Sequence, residues 1–184
     1  MSKELDLKPD IYCKDVTQVP FAELHSRGID NICIDVDNTL ALRDSYTVNS
    51  KILTTLEEAR KCGYIKNICV VSNIIFGAKR AKRVEEIAKQ LNTPHFFAAR
   101  FWHRKPGPKP FLEAMKMMDS QPQNTAIIGD QIFTDILGGK RLGLFTVLVK
   151  PLGPDHWCTA LTNRRKREEY ILREMRLHHH KKEQ

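Results

Sequence analysis

Short apolar runs recur along the chain, and each stops at a polar signal. Asn31 to Ile34 runs into Asp35, Asn67 to Val71 into Ser72, and Thr125 to Ile128 into Gly129 and Asp130, while Leu144 to Val149 ends near Pro151. Runs of this length without polar alternation belong to strands buried on both faces. A weaker fifth run covers His95 to Ala98. Between the runs the apolar spacing turns helical. Ile52, Leu53, Leu56 and Ala59 precede a stop at Gly63; Val84, Ile87, Ala88 and Leu91 precede Pro94; Phe111, Leu112, Met115 and Met118 follow Pro110. Strands alternating with helices predict an α/β fold: a Rossmann-like, five-stranded parallel sheet with right-handed crossovers and helices on both faces. The Phe and Met stripe of the third helix reads as core packing rather than a ligand box.

Ligands of such sheets sit outside the carboxyl ends of the strands, where strand order reverses. Asp35, Ser72 and Asp130 all fall on that edge. The segment DVDNT sets Asp35 and Asp37 one residue apart, and two carboxylates so close repel unless a cation lies between them. A carboxylate can attack phosphorus to form an aspartyl phosphate. That chemistry needs a second acid to move protons, a hard dication held by oxygen ligands, donors for the phosphoryl oxygens, and a lysine to balance charge. Each motif alone has a plainer reading: DVDNT as an Asx turn, Ser72 and Asn73 as a helix N-cap, GDQ as a simple turn. Three of them at strand ends make those plain readings insufficient.

DVDNT (Asp35 to Thr39), VVSN (Val70 to Asn73), KPGPKPF (Lys105 to Phe111) and GDQIFTD (Gly129 to Asp135) resemble, in order and spacing, the four motifs of the haloacid dehalogenase (HAD) superfamily phosphatases. The resemblance is to the YqeG-like, IIIA-type branch, related to phosphatidylglycerophosphate phosphatases, and runs from about Leu7 to Pro151. It implies a HAD fold and Mg²⁺-dependent hydrolysis of phosphomonoesters. Carried over, it makes Asp35 the nucleophile and a Mg²⁺ ligand, and Asp37 the general acid and base with its main-chain carbonyl on the metal. It makes Asp130 the second carboxylate on Mg²⁺ and Asp135 an outer support. Ser72 and the amide of Asn73 would grip the phosphoryl oxygens, and Lys105 would neutralise phosphate and nucleophile. Lys109 competes for that last role, but the K-P-x-P-x-x-F frame starts at Lys105.

The organisation expected is a lead-in segment over residues 1–30, a phosphatase core over 31–150 and a basic helical extension over 151–184. Only Ala41 to Thr47 separates the first strand from the next helix, and little more than Ala98 to Arg104 precedes Lys105. Neither gap holds a cap domain, so the site is expected to be open to a phosphate carried on a large body. A formal charge of +8 and a pI near 9.3 point to an anionic partner. Much of that charge lies in TNRRKREEYILREMRLHHHKK, where Arg164, Arg165, Lys166, Arg167, Arg173 and Arg176 flank an apolar side of Tyr170, Ile171, Met175 and Leu177. The plain reading is a helix docked on the core with solvated charges; the alternatives are an anionic membrane surface or nucleic acid. His178 to His180 read as a solvated tail.

Five cysteines without a C-x-x-C pair, no signal-peptide pattern and no membrane-length apolar run suggest a reducing cytoplasmic setting, and the membrane alternative for the basic extension would add peripheral contact at the inner face. The leading expectation is therefore a Mg²⁺-dependent phosphatase acting on a phosphorylated substrate, with a lipid headgroup phosphate such as phosphatidylglycerophosphate foremost. Two alternatives stay open: a basic RNA- or ribosome-associated protein with a vestigial site, and a soluble nucleotide or sugar phosphatase. Oligomeric state is left open by the sequence.

Overall fold

A computed structural model describes residues 7–74, 77–154, 166–168 and 170–173. Six parallel strands form one sheet: β1 (Ile11–Cys13), β2 (Asn31–Ile34), β3 (Asn67–Asn73), β4 (His95–Ala99), β5 (Thr125–Gly129) and β6 (Phe145–Val149), in spatial order β1-β6-β5-β2-β3-β4. The chain runs outward from β2 to β4 and then returns to the other side of β2. The order therefore reverses between β2 and β5, which is where Asp35 and Asp130 leave the sheet.

Five helices connect the strands: α1 (Phe21–Ser26), α2 (Ser50–Lys61), α3 (Ala78–Gln90), α4 (Lys109–Met118) and α5 (Leu137–Leu142). Strand residues alternate between two cores because the side-chain period of a strand is two. Ile32, Ile34, Ile68, Val70, Ala126 and Ile128 face the α2 and α3 side, packing with Ile52, Leu56, Val84 and Ile87. Cys33, Cys69, Val71 and Ile127 face Phe111, Ala114, Met115 and Met118 of α4. The Phe and Met stripe is thus core, as its period predicts. Burying each such side chain contributes about 1.5–3 kcal/mol.

The expected five strands become six. β1 is a three-residue edge strand, too short for its alternation to stand out, and it pairs with β6 through Tyr12 opposite Leu148. Asp10 fixes that edge. Its carboxylate accepts from the Thr146 amide and hydroxyl, both at 2.7 Å, and from Lys140 at 2.6 Å. Burial raises the Asp10 pKa, but these donors outweigh it and hold the group below the usual carboxylate range. Gly139 permits α5 to lie on the sheet, since a Cβ there would fall 2.5 Å from the Ile127 Cγ2.

Neither gap around the first and third motifs holds an inserted domain; each is a short loop or turn. Residues 166–168 and 170–173 are helical, and Ile171 and Leu172 pack on Ile132, Ile136 and Leu148. Tyr170 is exposed. In its described part the basic extension therefore docks on the core; Arg164, Arg165, Met175, Arg176, Leu177, His178 to His180 and Cys158 lie outside the described residues. Cys13, Cys33, Cys62 and Cys69 are free thiols. No helix among the described residues is long and apolar enough to cross a membrane.

Candidate active site

Asp35 follows β2 directly and is pinned there by its amide, which donates to the Ile128 carbonyl at 2.9 Å. Asp130 follows β5, the neighbouring strand. Asp135 enters the same space from a single π-turn, Ile132–Ile136, of the kind that often marks functional positions. Gly129 makes room for it: a Cβ at that residue would lie 2.3 Å from the Asp135 Cγ. The carboxylates of Asp35, Asp130 and Asp135 are all buried, with one oxygen of each within 4.8 Å of the others.

Lys105 reaches into this cluster from the turn before α4. Its ammonium is 2.6 Å from Asp35 Oδ1, 2.6 Å from Asp135 Oδ1 and 2.9 Å from the Val71 carbonyl, so its three donors are all engaged. Asn73 holds the lysine backbone in place. Its side-chain carbonyl accepts from the Lys105 amide at 2.8 Å, and its side-chain amide donates to the Lys105 carbonyl at 3.0 Å. Burial works against the ammonium, but the Asp135 and Asp35 carboxylates outweigh it and hold its pKa above the ordinary lysine value. Burial is also what raises Asp35, to about 7; Lys105 pulls it down, while Asp135 and Asp37 push it further up.

Asp37 lies at the flank of the cluster, close enough for its charge to act on Asp35. Its Oδ1 lies 2.8 Å from Arg83 Nη1, on α3, and both side chains are largely buried. Arg83 also donates through Nε to the Ser45 carbonyl at 2.7 Å, tying α3 to the loop behind the first motif. That loop turns sharply: Asn38 takes a φ of +61°, a left-handed conformation that asparagine tolerates, and the Leu40 and Ala41 amides both close onto the Val36 carbonyl. Ser72 is buried at the carboxyl end of β3, level with Ala98.

Three buried carboxylates, two of them on one ammonium, suit a hard divalent cation. The donors are oxygens, as Mg²⁺ requires, and added positive charge would offset both the burial and the neighbouring carboxylates that raise the Asp35 pKa. Beside Asp130 a cavity of ≈ 380 Å³ opens, bordered by Tyr12, Lys150, Pro154 and Glu168. Glu168, from the docked extension, accepts from the Ile132 amide at 2.8 Å and so steadies the turn that carries Asp135.

Residues 1–152 match the mitochondrial PGP phosphatase family. The chain belongs to that family. Along 156 residues this phosphatase is 30% identical to the probable phosphatase YqeG of Bacillus subtilis, covering 85% of the chain and 84% of YqeG. It is also similar to phosphatidylglycerophosphate phosphatase 1, chloroplastic/mitochondrial, of Arabidopsis thaliana, at 27% identity over 91% of the chain and 44% of the plant protein. Among solved structures, a HAD phosphatase from Thermococcus onnurineus superposes with a TM-score of 0.52 at 16% identity, over 70% of this chain and 90% of that one. A putative HAD-like phosphatase from Mesorhizobium loti gives 0.52 at 22% identity, over 66% and 72%. The fold is that of the HAD superfamily, and the chain is a HAD-type phosphatase.

Within the phosphatase, Asp35, Lys105, Asp130 and Asp135 meet in one cluster; Ser72 lies at the end of the next strand and Asp37 at the flank. Lys109, the competitor of Lys105, starts α4 in solvent, 3.5 Å from His103. Three features escaped the sequence reading. The Asn73 side chain is given to Lys105, Arg83 pairs with Asp37, and Glu168 reaches back to the fourth motif. Only Arg83 left a trace: it sits four residues before Ile87, on the buried face of α3.

Proposed function

We propose that this phosphatase hydrolyses phosphomonoesters through an aspartyl phosphate at Asp35, with a lipid headgroup phosphate such as phosphatidylglycerophosphate as substrate. The single observation that carries the reading is the shared ammonium: Lys105 bonds Asp35 and Asp135 at 2.6 Å each inside a buried acid cluster. Lys105 takes Asp35 Oδ1, so Oδ2 is the attacking atom. As Oδ2 bonds to phosphorus, the ester P–O bond breaks and Asp37 gives a proton to the departing oxygen. Water then attacks the same phosphorus, returns a proton to Asp37 and releases phosphate from Asp35. Ser72 and the Asn73 amide hold the phosphoryl oxygens during both steps. Asp35, Asp130 and the Asp37 carbonyl would hold Mg²⁺, with Asp135 in support. When bound, Mg²⁺ supplies the charge that keeps Asp35 ionised and draws the phosphoryl group to it.

The lipid is supported by the name of the matching family, by the similarity to the plant phosphatidylglycerophosphate phosphatase, and by an edge that no inserted domain covers. The test is phosphate release by wild type and Asp35→Asn with Mg²⁺, comparing phosphatidylglycerophosphate in mixed micelles with soluble esters. Lipid turnover that falls at least about a thousandfold in the variant, and that chelation abolishes, is the expected result. Retained turnover in Asp35→Asn would overturn the mechanism. Turnover of soluble esters alone would discard the lipid.

A further inference from the structure

The edge that carries the acid cluster also carries a feature of the opposite kind. Between β4 and Lys105 the chain makes a short 3₁₀ turn, Phe101–His103, closed by the His103 amide on the Arg100 carbonyl at 3.0 Å. Every residue from Arg100 to Arg104 is exposed, Phe101 by 59% and Trp102 by 95%. Phe101 holds a φ of +47°, a conformation that bulky residues rarely adopt. Leaving an indole in water forfeits a large gain, since burying such a ring is worth roughly one to two powers of ten in an equilibrium constant.

The charges around the turn have one sign. No Asp or Glu occurs between Glu86 and Glu113, while Arg100, Arg104 and Lys109 all stand exposed in that stretch. On the same edge the loop behind the first motif exposes Leu42 by 53% and Tyr46 by 49%. Aromatic rings with flanking cations suit the interface of an anionic membrane, where tryptophan is enriched and each nearby cation adds attraction. A single-stranded nucleic acid would instead call for a groove with successive stacking platforms. Here two adjacent rings crown one short turn.

We propose that the Phe101–His103 turn is an interfacial anchor: Trp102 and Phe101 enter the headgroup layer of an anionic membrane while Arg100, Arg104 and Lys109 meet lipid phosphates. Trp102 and Lys105 are three residues apart, so their Cα atoms lie within about 11 Å. Interfacial segments bury to a depth of about 5–10 Å, so an inserted Trp102 brings the Lys105 region level with the headgroups. In the described C-terminal extension Ile171 and Leu172 are already packed on the core, which leaves Tyr170 as its exposed ring. The purpose of the anchor rests on the lipid phosphatase reading, but its binding is measured apart from turnover.

The chain has two tryptophans, so Trp157→Phe leaves Trp102 as the sole indole reporter. This full-length variant is mixed with vesicles of phosphatidylcholine alone and of an equal mixture with phosphatidylglycerol. Trp102 emission should shift to the blue on the anionic vesicles only, and Trp102→Ala should weaken co-sedimentation with them about tenfold. Release of phosphate from a soluble ester without lipid should change by less than about twofold. Unaltered co-sedimentation of Trp102→Ala, or emission that does not move on anionic vesicles, would overturn the anchor. Quenching of Trp102 by single-stranded RNA without any vesicle response would overturn it in favour of nucleic acid. Vesicle binding through Trp102 in a protein that releases no phosphate would uphold the anchor and sink the phosphatase mechanism instead.

Discussion

Lys105 is 4% exposed and Trp102 is 95% exposed, although only two residues lie between them. The lysine sits where water is excluded, and every donor of its ammonium is matched by a named acceptor. The tryptophan sits where the protein offers it almost nothing. In the first environment an ion pair is far stronger than in water, and the geometry is set before any substrate arrives. In the second, free energy is gained only when a partner covers the surface. The two regions should therefore fail separately, one in folding and chemistry and the other in association.

The sharpest break is Lys105→Ala, which strands two buried carboxylates. Stability of the metal-free protein should fall by about 3–5 kcal/mol, read as the shift of a urea transition, and phosphate release should vanish. A shift below about 1 kcal/mol would mean that Lys105 does not organise the cluster. Gly129→Ala should follow, because its methyl would meet the Asp135 Cγ 2.3 Å away. Overpacking of that kind costs about 1–3 kcal/mol, and the displaced Asp135 should lower turnover along with it.

Arg83→Ala probes the flank of the cluster rather than its centre. Losing the 2.8 Å partner of Asp37 should lower kcat by about tenfold to a hundredfold with KM changed by less than about threefold, and Arg83→Lys should recover part of the loss. A loss confined to KM would assign Arg83 to substrate binding. Alkylation of thiols gives a smaller contrast. Burial pushes Cys33 up to about 12 and raises Cys69 as well, so both stay neutral and unreactive near neutral pH, whereas exposed Cys62 should label before either. Rapid labelling of Cys33 in the folded protein would show that the core behind Asp35 opens. The smallest effect belongs to the turn: Trp102→Ala should move the urea transition by no more than about 0.5 kcal/mol.

What could be read in advance followed the reach of each interaction along the chain. β2, β3, β5 and β6 are built on near-continuous apolar runs because they are covered on both faces, whereas β1 at the sheet edge is only three residues long. Asp35, Ser72 and Asp130 were placed because each ends or follows an apolar run, and Lys105 because KPGPKPF resembles the third motif of the family. Arg83 was not, since in a helix reading AKRAKRVEEIAKQ a buried arginine looks like another solvated charge. Its partner is supplied by a loop far away in sequence. The Asn73 side chain was assigned no task of its own because its clamp on Lys105 exists only once β3 and the turn before α4 are adjacent.

The sequence by itself determined the alternation of strands and helices, the family and the inventory of acids, because periodicity and motif spacing are local properties of a chain. Only the tertiary structure decided how those charges are shared. Lys105 and Asp35 are 70 residues apart, and their 2.6 Å contact depends on sheet order, on the Asn73 clamp and on the exclusion of water. The same closure left Trp102 outside. Coulomb interactions and burial depend on distance and dielectric in space, which no spacing along the chain specifies.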